Sequence, residues 1–264
     1  MLSLWNIHEQ QLYIVFFVLL GFYLIVSQTL FSYGVFLRKQ KPVDHQESSD
    51  FIPSTILGLL ALILGFTFSM AISRFDHRLE LVVQEANAIE TTFLRSQLLP
   101  AKEALPIRKL LQKYVDARLE FFEAGSDLEL IKKSEETAAQ IQRALWDQLI
   151  QITNTDRGPL VAQFASSLNE VIDLQSKRSA AFRNTIPKVV YWVILMITAA
   201  GLGCLSFLRG TRKSGERWSI FLLGLLFVTV FTLIRDLDRP RTGTITVSQE
   251  PLITLKHSLA TKLN

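Results

Sequence analysis

The chain has 264 residues, 49% of them hydrophobic and 20% charged. That is too apolar for an average soluble domain, yet too charged for membrane spans alone, so apolar helices must be joined to a sizeable polar helical part. The net charge of +4, from 28 basic and 24 acidic residues, sits mostly beside the apolar runs, where it reads as headgroup contact and topology signal and excludes nucleic acid as a partner.

The first apolar run, Leu12 to Leu37, is too long for a signal-peptide core and has no basic residue in the ten before it. It reads as a retained first span. Arg38, Lys39 and Lys41 end it, and a short polar loop, PVDHQESSDFIP over 42–53, follows. Pro53 suits the first turn of the next helix.

That helix, from Phe51 towards Pro100, organises the chain. It begins uncharged and apolar from Ile56 to Ile72. After Arg74 it turns amphipathic, with Leu79, Val82, Val83, Ala86, Ile89, Phe93 and Leu94 at helical spacing. No Gly or Pro interrupts it after Gly65. One continuous helix therefore leaves the bilayer and becomes a rod of a polar bundle. At about 1.5 Å per residue it reaches roughly 30 Å beyond the hydrocarbon.

Its membrane half carries two stripes. Ala61, Gly65, Ser69 and Ser73 recur every fourth residue and form a small-residue face for close helix packing. Beside them run Gly58, Leu62, Phe66 and Met70. One stripe packs on a neighbour; the other meets lipid, another subunit or a pore.

Pro100 and Pro106 bracket a predicted turn. The next helix places Ile107, Leu110, Leu111, Tyr114, Val115, Arg118, Leu119 and Phe122 on one face, and Gly125 stops it. A helix over about 128–153 turns Ala138, Ile141, Leu145, Leu149 and Ile152 inward, and NTDRGP breaks it. Pro159 opens another, with Leu160, Phe164, Leu168, Val171 and Ile172 inward, ending near Pro187. This middle part has no stretch alternating with period two, as a sheet would require. Lys188 to Leu208 is the third span, rich in small residues (Ala199, Ala200, Gly201, Gly203, Ser206). Arg209, Arg212, Lys213 and Arg217 fill a short loop before the fourth span, Trp218 to Ile234. Thr242 to Val247 reads as extended, and 250–260 as weakly helical.

The expected architecture is an all-α membrane protein. Residues 1–73 form a first transmembrane hairpin, 74–187 a helical bundle continuous with the second span, 188–235 a second hairpin, and 236–264 a tail docking on the bundle. Basic residues flanking the spans are nearly balanced between the two sides, so charge alone does not fix the orientation.

No catalytic motif appears: no Gly-rich phosphate loop, no G-x-S-x-G, no His-Glu-x-x-His. An enzyme is therefore not expected. The only cysteine, Cys204, lies in an apolar run, and His8, His45, His77 and His257 lack ligand spacing. No metal and no cofactor is expected. Glu85, Asn87 and Glu90 read as a solvated or capped face of the long helix or as groups that bind an ion. Asp236 and Asp238, interleaved with arginines past the last span, read as a salt-bridged juncture with the bundle or as a cation site. Arg74 is a snorkelling anchor at the membrane edge or a charge that draws anions to a vestibule.

Leu64-Gly65-Phe66, followed eight residues later by Arg74-Phe75, resembles the second membrane helix of bestrophins, where a Gly-Phe pair precedes Arg-Trp at the same spacing. LLQKYVDARL at 110–119 is similar to that family's Leu-x-Arg-Tyr segment. The closer likeness is to the bacterial bestrophin-like membrane proteins, a family of unknown function. It rests on GLLALILGFTFSMA (58–71), EANAIETTFLR (85–95) and DLDRPRTGTITVSQEPL (236–252).

The resemblance implies a homopentamer in a bacterial inner membrane, with lipid and small inorganic ions, chiefly anions, as its other partners. It places the hydrophobic neck of an ion channel on Gly58, Leu62 and Phe66. Gly58 and Leu62 stand where bulkier or aromatic residues are usual, which widens the constriction. The family's calcium site needs a dense acidic cluster; here only Asp236 and Asp238 stand among Arg235, Arg239 and Arg241, so calcium gating is not expected. Two rival readings remain: a membrane sensor with an extracytoplasmic helical domain, and a non-conducting assembly protein.

Overall fold

The computed structural model describes residues 2–40, 51–212 and 217–263. Most of the polar loop read over 42–53, with Lys41 and His45, lies outside the described residues, as does Lys213. Among the described residues the regular structure is all helix, in the order α1 (Leu2–Gln40), α2 (Phe51–Ser96), α3 (Ala101–Glu123), α4 (Leu128–Thr153), α5 (Pro159–Arg183), α6 (Lys188–Thr211), α7 (Arg217–Leu237) and α8 (Glu250–Leu263). Among the described residues, four helical stretches are long and apolar enough to cross a membrane, within Leu12–Gln40, Phe51–Ser96, Pro159–Thr211 and Arg217–Leu237.

The long helix is one element. α2 runs unbroken for 46 residues, as the lack of Gly and Pro after Gly65 allows. It ends where Ser96 Oγ bonds back to the Phe93 carbonyl at 2.6 Å and Pro100 forbids continuation.

No turn separates Pro100 from Pro106: α3 starts at Ala101 and runs through Pro106. Proline in a helix removes one N–H and crowds the carbonyl four residues back. Ala104, Ile107 and Leu111 are nonetheless buried in the core, and that packing outweighs the local cost. The arginine-rich loop is shorter than read, because α6 carries Arg209 to its last turn and α7 begins at Arg217. Asp127 caps α4, its Oδ1 accepting from the Glu129 and Leu130 amides at 3.0 and 3.1 Å, which satisfies two orphan donors. Pro159 opens α5 at its first turn.

The chain divides into two compact units. The first comprises residues 1–73, 185–239 and 243–245. In it α1 packs on α6 and α7. The α1–α6 crossing is a backbone-to-backbone contact: a Cβ on Gly34 would lie 2.5 Å from the Phe207 carbonyl oxygen, and one on Gly210 would collide with the Phe31 carbonyl. Only glycine permits that approach. Ser27 and Ser206 share a 2.7 Å hydrogen bond along the same contact.

The second unit comprises 74–184, 240–242 and 246–264. Its core draws Val82, Ile89 and Phe93 from α2, Ile107, Leu111 and Val115 from α3, and Leu145 and Leu149 from α4. Phe164, Leu168 and Val171 come from α5, and Leu252, Leu255 and Leu259 from α8. Each fully buried side chain of this size contributes about 1.5–3 kcal/mol. Three residues expected inward point out instead: Val83, Leu94 and Leu160 are exposed, while Leu81 and Val161 take buried places beside them. A period of 3.6 leaves flanking positions of a stripe undetermined until the neighbours are placed.

Candidate functional site

In the membrane half of α2, the face buried within the first unit is Leu60, Leu64, Thr67 and Ala71. Both stripes read from the sequence lie off that face. Gly58, Leu62 and Phe66 are exposed, Phe66 by 69% and Leu62 by 55%. Ala61, Gly65, Ser69 and Ser73 are exposed too, and a Cβ on Gly58 or Gly65 would meet nothing within 4 Å. The chain thus presents an apolar row and a small-residue row side by side. Arg74, at the start of the polar half, is partly buried.

Asp236 and Asp238 accept hydrogen bonds from different stretches of the chain. Asp236 spreads its two oxygens over the amides of Thr244 and Ile245, each at 3.0 Å. That clamp folds the chain back at Gly243, whose φ of +119° belongs to glycine and whose added Cβ would strike Asp236 Oδ1. Asp238 accepts the Ile186 amide on both oxygens, at 3.1 and 2.9 Å, and the Tyr191 hydroxyl at 3.2 Å. Both carboxylates hold backbone in place. No group of three or more His, Cys, Asp or Glu placed to hold a metal occurs among the described residues.

The polar face of α2 requires correction. Glu85, expected in solvent, is fully buried. Its Oε1 accepts Arg118 Nε at 2.7 Å, and its Oε2 accepts Arg178 Nη1. Tyr114 OH approaches Oε1 at 3.4 Å and is itself held by Gln142 Nε2 at 3.2 Å. Arg178 Nη2 also bonds Gln249 Oε1, and Gln249 Nε2 donates to the Val247 carbonyl at 2.9 Å. One carboxylate thereby ties α2, α3, α4, α5 and the lead-in to α8. Burial alone would push the Glu85 carboxyl up, but the Arg118 and Arg178 charges and their hydrogen bonds outweigh it and hold the group below its ordinary range. Burial together with the Glu85 charge pushes the Tyr114 hydroxyl up, so it stays a donor.

Arg78, also buried, donates to the Ala181 and Asn184 carbonyls at 3.1 and 2.8 Å, a cation at the C-terminal end of α5. Of the other two polar residues, Asn87 is exposed and Glu90 pairs with Lys262 of α8 at 3.1 Å.

Residues 20–252 match the family described as Bestrophin-like domain. The chain belongs to the bestrophin-like family. Its fold agrees with solved structures. A bacterial bestrophin homologue from Klebsiella pneumoniae carrying a single substitution aligns with a TM-score of 0.68 at 14% identity, covering 92% of this chain and 98% of that one. A membrane protein bearing a single substitution aligns with a TM-score of 0.71 at 15% identity, over 93% of this chain and 98% of that one. The Klebsiella pneumoniae homologue phased with zinc aligns at 0.65 and 14% identity, over 92% and 96%. No curated protein matches.

This bestrophin-like chain is thus a multi-pass membrane protein with the family's fold. The family match spans the α2 stripes, the Glu85 cluster and both aspartates. Arg178 and Gln249 went unnoticed in the sequence. The available signal was Glu85 itself, which lies in phase with Val82, Ile89 and Phe93, among residues that are all buried.

Proposed function

We propose that this bestrophin-like protein assembles as a homopentamer in a bacterial inner membrane and conducts small inorganic anions through a hydrophobic neck built from α2. The observation that carries the reading is the exposed row Gly58, Leu62, Phe66 on a membrane helix whose opposite face is packed. Rings of Leu62 and Phe66 from several copies would meet around an axis. Water in so narrow an apolar ring is unstable, so the passage stays shut to ions until it is widened. The adjacent Ala61, Gly65, Ser69, Ser73 row lets a neighbouring helix approach closely. Arg74 then stands at the polar end of the spanning segment, where its charge favours anions at the mouth.

Recordings from purified protein in planar bilayers, under a mixed gradient of anions and cations, test this. Phe66→Ala should wet the ring and raise the current above wild type at matched protein per bilayer. If the row meets only lipid or a packed helix, the same change removes contacts without opening a path. Unchanged or lost current from a correctly assembled oligomer rejects the neck.

A further inference from the structure

We infer that the second unit binds a small monovalent anion among Arg118, Arg178 and Arg241, at a site built from residues other than the α2 rows. The site does not depend on the pore reading.

Three guanidiniums gather around one aromatic pair. Arg118 lies 4.7 Å from the Phe121 ring centroid, and Arg178 lies 5.6 Å from that of Phe182. Arg241 lies 4.0 Å from Phe121 and 4.9 Å from Phe182. The two rings meet edge to face at 5.8 Å. Arg118 and Arg178 are fully buried. Their direct countercharge is Glu85. Glu135 is the other carboxylate whose field reaches Arg118 and Arg241, and it is shared with Arg183 at 3.8 Å. Three arginines against two carboxylates leave one positive charge over, and counting Arg183 leaves more.

The donors point to the same deficit. Among the described residues, Arg118 Nη1 and Nη2, Arg178 Nε and Arg241 Nε are buried with no acceptor. A charged N–H removed from water and left unbonded is among the costliest features a core can hold. Burial pulls the Arg241 guanidinium down to about 10, so it is still charged at neutral pH. One anion bonded to these donors would close both the charge and the hydrogen-bond deficit. The ligand must shed its hydration to enter, which favours a halide or nitrate over sulfate or phosphate. Arg241, only partly buried, marks the side of entry. An anion that binds the folded unit and not the unfolded chain stabilises it by mass action.

The full-length protein in detergent provides the test. Thermal unfolding is followed in sodium bromide, nitrate, gluconate and sulfate at constant ionic strength. The midpoint should rise saturably with bromide and nitrate and stay flat with gluconate and sulfate. The rise should vanish in Arg241→Gln and persist in Phe66→Ala. Crystals grown in bromide should show an anomalous peak within hydrogen-bond reach of Arg118 Nη1 or Nη2. Equal midpoints in all four salts, a rise that survives Arg241→Gln, or ordered water alone beside Arg118 each overturn the site. If Arg241→Gln does not fold, the bromide map of the wild type decides by itself.

Discussion

Replacing Glu85 with Gln removes a charge and almost no volume. The carboxylate serves Arg118 Nε at 2.7 Å on one oxygen and Arg178 Nη1 on the other. Glutamine offers one acceptor and turns its amide donors towards a second guanidinium. One arginine then loses its acceptor, and both lose their countercharge. Breaking a buried pair in this way costs about 3–5 kcal/mol. The ion pair Lys256–Asp116 is a control of equal separation, also 2.7 Å, but its side chains are 51% and 47% exposed. Asp116→Asn should cost only about 0.2–1 kcal/mol. Native-state hydrogen exchange, read on the slowest amides of α3 and α5, measures both. The pH dependence carries the same sign. Glu85 titrates near 4.5 when unperturbed and lower in the folded chain, so the unfolded state takes up the proton first as pH falls. The cluster's stabilisation is therefore complete above about 4.5 and is lost as pH drops below it through the folded-state value. Glu85→Gln should flatten the stability slope in that window. If the two variants lie within about 1 kcal/mol of each other, burial is not what gives this pair its weight.

Gly65→Leu should abolish the oligomer while leaving the protomer folded, since nothing within the protomer lies near that position; native mass measurement in detergent reads it, and an intact oligomer refutes the packing role. Gly210→Ala should cost at least about 1–3 kcal/mol by overpacking, because its new Cβ meets the Phe31 carbonyl, whereas Gly21→Ala, with open space around it, should be tolerated; thermal midpoints of the pair compare them. Asp236→Ala releases the Thr244 and Ile245 amides, each a charge-assisted bond of about 1.5–3 kcal/mol. Limited proteolysis should then cut within 240–247 faster than in wild type, and unchanged cutting kinetics would contradict the clamp.

How much of this was legible before the structure follows from what each signal measures. Period and punctuation reported the helices well: α4 over 128–153, the opening of α5 at Pro159 and the unbroken α2 all rest on local backbone chemistry. Pro106 misled because a punctuation rule is local, while the burial of Ala104 and Ile107 is not. Glu85 misled for the opposite reason. A carboxylate reads as solvated until its partners are known, and here they lie 33 and 93 residues away in sequence. Arg118 stood in the inward face of α3 as an anomaly, and a cation in one apolar stripe with a carboxylate in another is the pattern that announces a buried pair. The Gly34–Gly210 contact was invisible for want of any sequence sign of which small residues meet.

The α2 helix separates folding from assembly on its surface. Three faces of one helix carry three instructions. Leu60, Leu64, Thr67 and Ala71 are spent inside the protomer, so they contribute to folding and not to assembly. The two remaining rows both reach the surface, and they differ in chemistry. A row with glycine and serine at its centre offers little area for hydrophobic or dispersion contact unless another backbone comes close. A row that carries Leu62 and Phe66 fills space wherever it faces. Bringing a second copy onto the first row turns the second towards whatever the assembled helices surround. On this argument Gly65→Leu and Phe66→Ala, on neighbouring residues, fail in different ways: the first loses the oligomer, and the second keeps it and changes what passes through.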